Sequence, residues 1–242
     1  MSNLLIEMGN TALKAAWSEG TTLGKTFRYQ GEKVIEYILS LTSKEKPEVM
    51  AVAAVAELSP SDTALLRAEC GTLLLLDGSS PEILSSCGLP GYISGDRAAS
   101  IMAARFLFKD KSCMVFDFGT TLTIDMIAPD GSYEGGRISP GCRTRFKSLE
   151  RYSRSLPLVD TPEDMRLSSE SLEASIGAGV ISGIMFEIEG YVSRFPDHVV
   201  VFTGGDANYF AKRMKNSIFA VYNLVLMGLA IITNDYVKES DS

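Results

Sequence analysis

Two segments of the 242-residue chain carry the residue types that bind phosphate groups. Glu7–Thr11 and Asp117–Thr121 each follow two apolar residues and contain an acid, an apolar residue, glycine, a small polar residue and threonine, in that order. A glycine turn exposes backbone N–H groups that bind phosphate oxygens, and the acid can hold a cation. The segments lie 110 residues apart, so we interpret them as one β-hairpin present in each of two lobes that close on a nucleotide phosphate. A duplicated hairpin with ordinary turn residues is the simpler alternative.

Proton chemistry in this chain must fall to carboxylates, because His198 is its only histidine. Asp96 lies just before a helical pattern, and a carboxylate there could take the proton of a hydroxyl group that attacks a phosphoryl group. Aspartate before a helix is also a common N-cap, so a local salt bridge with Arg97 that caps the helix stays open. Gly204 and Gly205 could contact a nucleotide base or form a plain strand-to-helix turn.

Composition excludes several classes of protein. Hydrophobic residues make up 45% and charged residues 22%, which allows a substantial core and argues against disorder. A net charge of −7 lacks the basic surface that nucleic acids require. The most apolar run, 224–232, is too short to span a membrane, and residues 1–7 lack the basic region of a secretory signal. The four cysteines are scattered, so we expect reduced thiols, no zinc site and a cytoplasmic protein.

The elements that must position these residues alternate between strands and helices, which predicts an α/β protein. Apolar runs predict strands at 4–6, 12–17, 49–54, 73–76, 113–117, 121–127 and 199–203. Helices are predicted at 31–41, 61–70, 98–109, 144–152, 171–193 and 207–215, and the tail 237–242 is expected to fray. Arg143 and Arg145, after Pro140-Gly141, are more typical of a solvated face than of a site.

The doubled hairpin resembles the actin-like, ribonuclease H-like fold of acetate and sugar kinases, Hsp70 chaperones and actin. Further motifs, in the family's order, make the chain similar to the type III pantothenate kinases. They are Glu7-Met8-Gly9-Asn10-Thr11 with Lys14, Ser94-Gly95-Asp96-Arg97 after Pro90, Asp117-Phe118-Gly119-Thr120-Thr121-Leu122-Thr123, Gly135-Gly136-Arg137-Ile138-Ser139-Pro140-Gly141, and Thr203-Gly204-Gly205. The resemblance implies two similar lobes with a cleft between them, which we place at 1–110 and 111–242.

The resemblance also implies a function: ATP-dependent phosphorylation of pantothenate to 4′-phosphopantothenate, the first step of coenzyme A synthesis, by a homodimer. Asp96 is then the general base and Asp117 the ligand of a monovalent cation, K⁺ or NH₄⁺, while Mg²⁺ accompanies ATP. The other residues that it assigns are ATP contacts at Glu7, Gly9, Asn10, Thr11, Lys14, Gly119, Thr120, Gly204 and Gly205, and substrate contacts at Ser94, Gly95, Arg97 and Ser171.

Departures from the family pattern keep other functions open. Glu7 replaces the family's aspartate and Ser94 a usual glycine. Cys87 stands where some members have a substrate-pocket tyrosine, and Leu172 or Ser171 where the family has a threonine. Because most of these changes fall on the substrate side, a kinase of another small hydroxyl compound stays open. A catalytically weak homologue that binds a ligand or regulates a partner is the third possibility.

Overall fold

A computed structural model describes residues 2–77, 81–163 and 171–240 of the chain. Its backbone divides into two compact units, Met1–Lys109 with Asn223–Ser242, and Asp110–Tyr222. The sequence predicts lobes at 1–110 and 111–242, which assigns the last twenty residues to the second lobe. The structure groups these residues with the first unit instead. The reason is the C-terminal helix, whose apolar residues Leu226 and Leu229 pack in the core of unit 1.

Unit 1 contains a five-stranded sheet among its described residues, with the order β3-β2-β1-β4-β5. β1 is antiparallel to β2 and parallel to β4. The strands are β1 Asn3–Met8, β2 Leu13–Glu19, β3 Thr22–Tyr29, β4 Val49–Ala54 and β5 Thr72–Leu76. The helices are α1 Val34–Thr42, α2 Pro60–Ala68, α3 Pro81–Ser86, α4 Gly95–Leu107 and α8 Leu224–Ser240.

The sheet of unit 1 is apolar on both faces. Leu5, Ala51 and Ala53 share one face with α4 and α8, whereas Leu4 and Ile6 share the other with α1 and α2. This side-to-side alternation follows from the two-residue period of a strand. It puts Glu7 on the same face of β1 as Leu5, which is the face that α4 covers.

Unit 2 repeats the strand order of unit 1. In the described residues its sheet has the order β10-β9-β6-β7-β8. The strands are β6 Cys113–Phe118, β7 Thr121–Ile127, β8 Tyr133–Pro140, β9 Val199–Gly204 and β10 Phe219–Ala220. The helices are α5 Cys142–Tyr152, α6 Leu172–Arg194 and α7 Ala207–Ala211. Phe116 and Phe202 form the centre of its core, against Phe146 of α5 and Phe210 of α7.

The two sheets match strand for strand, since an antiparallel meander (β1-β2-β3 or β6-β7-β8) is followed by a parallel strand beside its first strand. The predicted internal repeat is therefore a repeat of structure. The hairpin loops differ in length: Met8 pairs with Leu13, leaving four residues between them, whereas Phe118 pairs with Leu122, leaving three.

All seven predicted strands and all six predicted helices form, with shifts at their ends. β3 and β8 escaped prediction because they are outer strands with mostly exposed or half-buried residues, which leaves no apolar run to detect. The short α3 and β10 escaped it as well. The expectation of a frayed tail was wrong for residues 237–240, which continue α8, and Val237 packs against the core. Within the described residues, no helix has the length and apolar character needed to cross a bilayer.

Candidate active site

The first glycine turn connects β1 and β2 and ends with a charged pair. Gly9 N–H donates to the Ala12 carbonyl at 3.1 Å, which closes the turn and leaves Gly9, Asn10 and Thr11 exposed. Glu7 lies opposite Lys14 in the β1–β2 register. Lys14 Nζ lies 3.2 Å from Glu7 Oε2, and each side chain is only about one-sixth exposed. Unit 1 therefore brings together the two charged residues that the sequence assigned to ATP.

The base candidate Asp96 belongs to the same electrostatic environment. Burial raises the pKa of Glu7, the cation of Lys14 lowers it, and the charge of Asp96 raises it again. Of these effects the contribution of Asp96 is the smallest. α4, which carries Asp96, packs on β4 and on the same face of the sheet as Glu7.

Asp96 is the second residue of α4, not its N-cap. The N-cap is Ser94, whose extended backbone makes no side-chain cap, and Asp96 Oδ1 instead accepts the Arg97 N–H at 2.9 Å. A carboxylate in the first turn also suits the positive end of the helix dipole. The alternative that Asp96 is the N-cap of this helix is therefore wrong, and its carboxylate instead accepts a hydrogen bond from the adjacent backbone. Arg97 itself is buried, with 7% of its surface exposed.

The glycine beside the base lets the helix start close to the sheet. A Cβ at Gly95 would overlap the Leu76 carbonyl at the end of β5. Ser94, which replaces a usual glycine of the motif, is half-buried and lies just outside the helix. Glycine at 95 therefore fixes where Asp96 sits, whereas position 94 tolerates a side chain.

The second glycine turn connects β6 and β7 in unit 2. Gly119 N–H donates to the Thr121 carbonyl at 3.0 Å, and Gly119 and Thr120 are exposed. Asp117, one residue before the end of β6, is half-buried and pairs in register with Thr123 of β7 and Thr203 of β9. The strand neighbours of Asp117 are thus two threonines, whereas the neighbour of Glu7 across the β1–β2 pair is a lysine.

Gly204 leaves room beside Asp117. Its φ of 91° lies in the region that favours glycine, and a Cβ there would overlap Asp117 Oδ1. The next residues turn the chain into α7: Asp206 N–H donates to the Phe118 carbonyl at 3.3 Å. Asp206 is the N-cap of α7 without a side-chain cap, and burial raises its pKa. Gly204 and Gly205 thus form the strand-to-helix turn, directly beside the candidate cation ligand.

The substrate-side candidates lie in different settings. Ser171 is the N-cap of α6, where its hydroxyl accepts the Ala174 N–H at 3.1 Å, and Leu172 is 49% exposed. Cys87 lines a small cavity of about 130 Å³ among α3, α4 and α8, and burial raises the pKa of its thiol. Asp96 is not among the residues lining that cavity.

Cation binding rests on single carboxylates. No group of three or more histidine, cysteine, aspartate or glutamate side chains in the described parts of the chain could hold a metal ion. A carboxylate oxygen is a suitable ligand for hard cations such as Mg²⁺ and K⁺. Mg²⁺ in particular binds nucleotides through phosphate oxygens, waters and one or two carboxylates. Glu7 in unit 1 and Asp117 in unit 2 each offer one such carboxylate within their own unit.

Sequence reasoning missed a group of residues behind the second turn. Thr144 Oγ1 donates to the Thr120 carbonyl at 2.6 Å, and the Gly141 N–H donates to the same oxygen at 3.0 Å. Arg145, expected on a solvated face, is only 21% exposed and is ion-paired with Glu187. The sequence did contain an indication of this role, because Thr144 and Arg145 lie in the first helical turn after the Pro140-Gly141 motif.

Solved structures with the same fold include sugar kinases. A Campylobacter jejuni protein assigned to the Baf family of transcriptional activators matches with a TM-score of 0.65 and 20% identity, over 97% of this chain and 99% of that one. The ROK hexokinase of Thermus thermophilus matches with a TM-score of 0.53 and 14% identity, over 96% and 98%. These likenesses establish the fold, an α/β architecture of two similar units, as the sequence predicted.

Sequence comparison identifies the family. Residues 3–194 match the family described as type III pantothenate kinase. A type III pantothenate kinase of Flavobacterium psychrophilum is 33% identical over 233 residues, which cover 93% of this chain and 96% of that protein. With the paired glycine turns and the Asp96 helix in place, this chain belongs to the type III pantothenate kinase family.

Proposed function

We propose that this chain is an active ATP-dependent kinase that phosphorylates the primary hydroxyl of pantothenate, giving 4′-phosphopantothenate for coenzyme A synthesis. The family match over residues 3–194 supports this reaction and substrate. The observation that carries the residue assignment lies in unit 1, where the helix of Asp96 packs on the sheet face that carries Glu7, beside the Glu7–Lys14 pair and an exposed glycine turn. The proposed proton acceptor and the proposed phosphate-binding segment thus belong to one compact unit.

Asp96 acts as the general base in this mechanism. The substrate hydroxyl loses its proton to the Asp96 carboxylate while its oxygen bonds to the γ-phosphorus of ATP. The bond between that phosphorus and the bridging oxygen breaks, and ADP leaves. Arg97 is assigned to the substrate carboxylate, since a guanidinium largely removed from water pairs strongly with an anion. Ser94, Gly95 and Ser171 are the further substrate contacts, as the family motif implies.

ATP contacts are assigned to Glu7, the turn Gly9–Thr11 and Lys14 in unit 1, and to Gly119–Thr120 and Gly204–Gly205 in unit 2. Asp117 is assigned to a monovalent cation, K⁺ or NH₄⁺, because the missing side chain of Gly204 leaves room at its carboxylate. When bound, such a cation and Mg²⁺ neutralise charge on the phosphates. The protein then has little covalent chemistry to perform and mainly positions the reactants.

A coupled ADP-release assay with pantothenate, in potassium or in sodium, tests the proposal. We expect turnover with pantothenate and a lower rate in sodium. Asp96→Asn should lower kcat by about 10²-fold or more while thermal unfolding is unchanged. Asp197→Asn, at an exposed aspartate of unit 2, serves as the matched control. Near-normal activity of Asp96→Asn would remove it as the base, and equal rates in the two salts would remove the cation role of Asp117.

A kinase of another small hydroxyl compound is the second candidate. It is favoured by the position of Cys87, which lines a cavity away from Asp96, and by the hydroxyl of Ser171, which already caps a helix. A panel of small alcohols that carry a carboxylate, assayed with ATP, separates the two candidates. Faster turnover of any of them than of pantothenate would favour the second.

A homodimer is part of the proposal. Ile138 of β8 is 63% exposed and Phe186 of α6 is 70% exposed, and both lie in unit 2. A contiguous exposed apolar patch is typical of a surface that binds another protein, and a dimer contact over these two side chains would bury them. Sedimentation equilibrium should give twice the chain mass, and Phe186→Glu should shift the protein towards monomer. A wild-type monomer at micromolar concentration would contradict this part.

A further inference from the structure

The Thr120 carbonyl oxygen accepts two hydrogen bonds. The Thr144 hydroxyl donates to it at 2.6 Å and the Gly141 N–H at 3.0 Å. Both donors come from the start of α5, and the Thr120 residue itself is exposed at the tip of the turn. Two donors on one carbonyl fix the plane of the peptide that Thr120 forms with Thr121, and so fix the direction in which Thr120 presents its own groups.

A second layer of contacts holds the segment that carries those donors. Arg145 Nε donates to the Pro140 carbonyl at 2.8 Å, directly before Gly141. The same guanidinium donates to Ser139 Oγ at 3.2 Å and pairs with Glu187 of α6. Ser139 Oγ in turn donates to Glu187 Oε1 at 2.7 Å. The guanidinium therefore ties the end of β8 and the start of α5 to the long helix α6.

The partly buried Arg145–Glu187 pair differs from its neighbour on the same helix. The side chains of Arg145 and Glu187 are 21% and 22% exposed, whereas those of the Arg143–Asp160 pair are 45% and 93% exposed. Exposed ion pairs contribute little because water screens them, while a shielded, multiply hydrogen-bonded arginine fixes geometry. The difference points to a specific task for Arg145.

We propose that Thr144, supported by the Arg145–Glu187 pair, is a positioning residue that orients Thr120 for the phosphates of ATP. The inference rests on the proposed function, because it takes Thr120 as an ATP contact. Thr144, Arg145 and Glu187 need not touch the nucleotide themselves. Loss of their contacts leaves the fold and Asp96 in place but lets the turn at Thr120 sample orientations that do not bind phosphate.

Steady-state kinetics of the full-length protein, with the Mg²⁺ complex of ATP as the varied substrate, test the inference. Thr144→Val keeps the shape but lacks the donor, so KM for ATP should rise about three- to tenfold, the worth of one hydrogen bond. KM for pantothenate at saturating ATP should change less than about twofold. Thr144→Ser restores the hydroxyl and should restore KM for ATP. Arg145→Gln should raise KM for ATP in the same direction, whereas Arg143→Gln, the matched control, should not.

Thr120→Ala separates failure of the inference from failure of the proposed site. If Thr120→Ala raises KM for ATP but Thr144→Val does not, the positioning role is wrong and the ATP site stands. If Thr120→Ala leaves KM for ATP unchanged, the assignment of ATP to this turn fails, and the inference with it. Equal effects of Thr144→Val and Thr144→Ser would also overturn it, because the donor would then not matter.

Discussion

Glu7 and Lys14 face each other across β1 and β2, and their ion pair is what a glutamate at this position makes possible. The side chain of glutamate is one methylene longer than that of the family's aspartate, and it contacts Lys14 Nζ with both carboxylate oxygens, at 3.3 and 3.2 Å. Directly opposed residues of an antiparallel pair have neighbouring side chains, so the partner is fixed by register. The substitution is thus accommodated locally, which favours an active enzyme over an impaired one.

The variant Glu7→Asp tests whether the glutamate at position 7 is compatible with full activity. Aspartate is one methylene shorter and weakens the contact with Lys14, so we expect kcat to fall modestly, by about three- to tenfold, in the ADP-release assay. Glu19→Asp, the same change at an exposed acid of β2, is the control and should have no effect. A rise in turnover by orders of magnitude would instead indicate that the natural chain is a catalytically weak homologue.

Asp206 gives a prediction for pH dependence. Burial raises its pKa in the folded protein above the ordinary value of 3.8, so the charged form opposes folding. The unfavourable contribution is absent below pH 3.8 and appears as the pH rises through the folded pKa. Asp206→Asn keeps a good N-cap and should stabilise the protein at pH 7 by less than ~1 kcal/mol, since the group is only half-buried. Urea unfolding at pH 7 and pH 3.5 checks this, and an equal gain at both values would contradict it.

At the scale of elements, the contact between α4 and α8 decides how close two helices come. A Cβ at Gly228 of α8 would overlap the Ala99 carbonyl of α4. Small residues at a crossing let backbones approach, and here the approach sets the position of the helix that carries Asp96. The same feature is invisible in the apolar pattern of residues 224–232, which indicates burial but not the neighbour.

Gly228→Ala should therefore destabilise the protein by roughly 1–3 kcal/mol, because overpacking displaces α4 or α8. Alanine ordinarily stabilises a helix relative to glycine by ~1 kcal/mol, so the sign of the change in unfolding free energy tests whether the crossing is tight. Gly179→Ala in α6, where an added Cβ meets nothing within 4 Å, should show the ordinary gain. Midpoints of urea unfolding for the two variants should move in opposite directions. A gain for both would mean that the crossing is not tight.

At the scale of the whole molecule, the chain returns to its first unit after completing its second. α8 supplies Val225, Leu226, Leu229, Ala230 and Ile232 to the core of unit 1, on the face of the sheet that α4 also covers. Unit 1 is thus built from both ends of the chain, and its Asp96 helix depends on residues more than a hundred positions away in sequence.

A chain ended after Tyr222 should lose structure in unit 1 and keep it in unit 2. We expect fast amide hydrogen exchange in β1, β4 and β5, and retained protection in β6, β7 and β9. A chain ended after Val237, which keeps the apolar part of α8, is the control and should exchange like the wild type. Loss of protection confined to unit 2 would instead support the simple division at residue 110.

Features that depend only on neighbouring residues in the chain follow from the amino-acid sequence alone. Apolar runs specify the inner strands, glycine after an acid specifies the two turns, and the repeat of that pattern specifies two sheets of one topology. The ordered motifs also identified the family. Even the difference between the turns is local in origin, since one more residue between Met8 and Leu13 puts Lys14 opposite Glu7.

Which distant residues meet is visible only in the folded chain. α8 joins unit 1, the helix of Asp96 packs on the sheet face of Glu7, and Arg145 links Glu187 to the Pro140 carbonyl. Such contacts depend on the packing of whole helices against sheets, where partners are chosen by shape and by the need to pair buried charge. An apolar or basic side chain in the sequence shows that it needs a partner, whereas the folded chain shows which one it has.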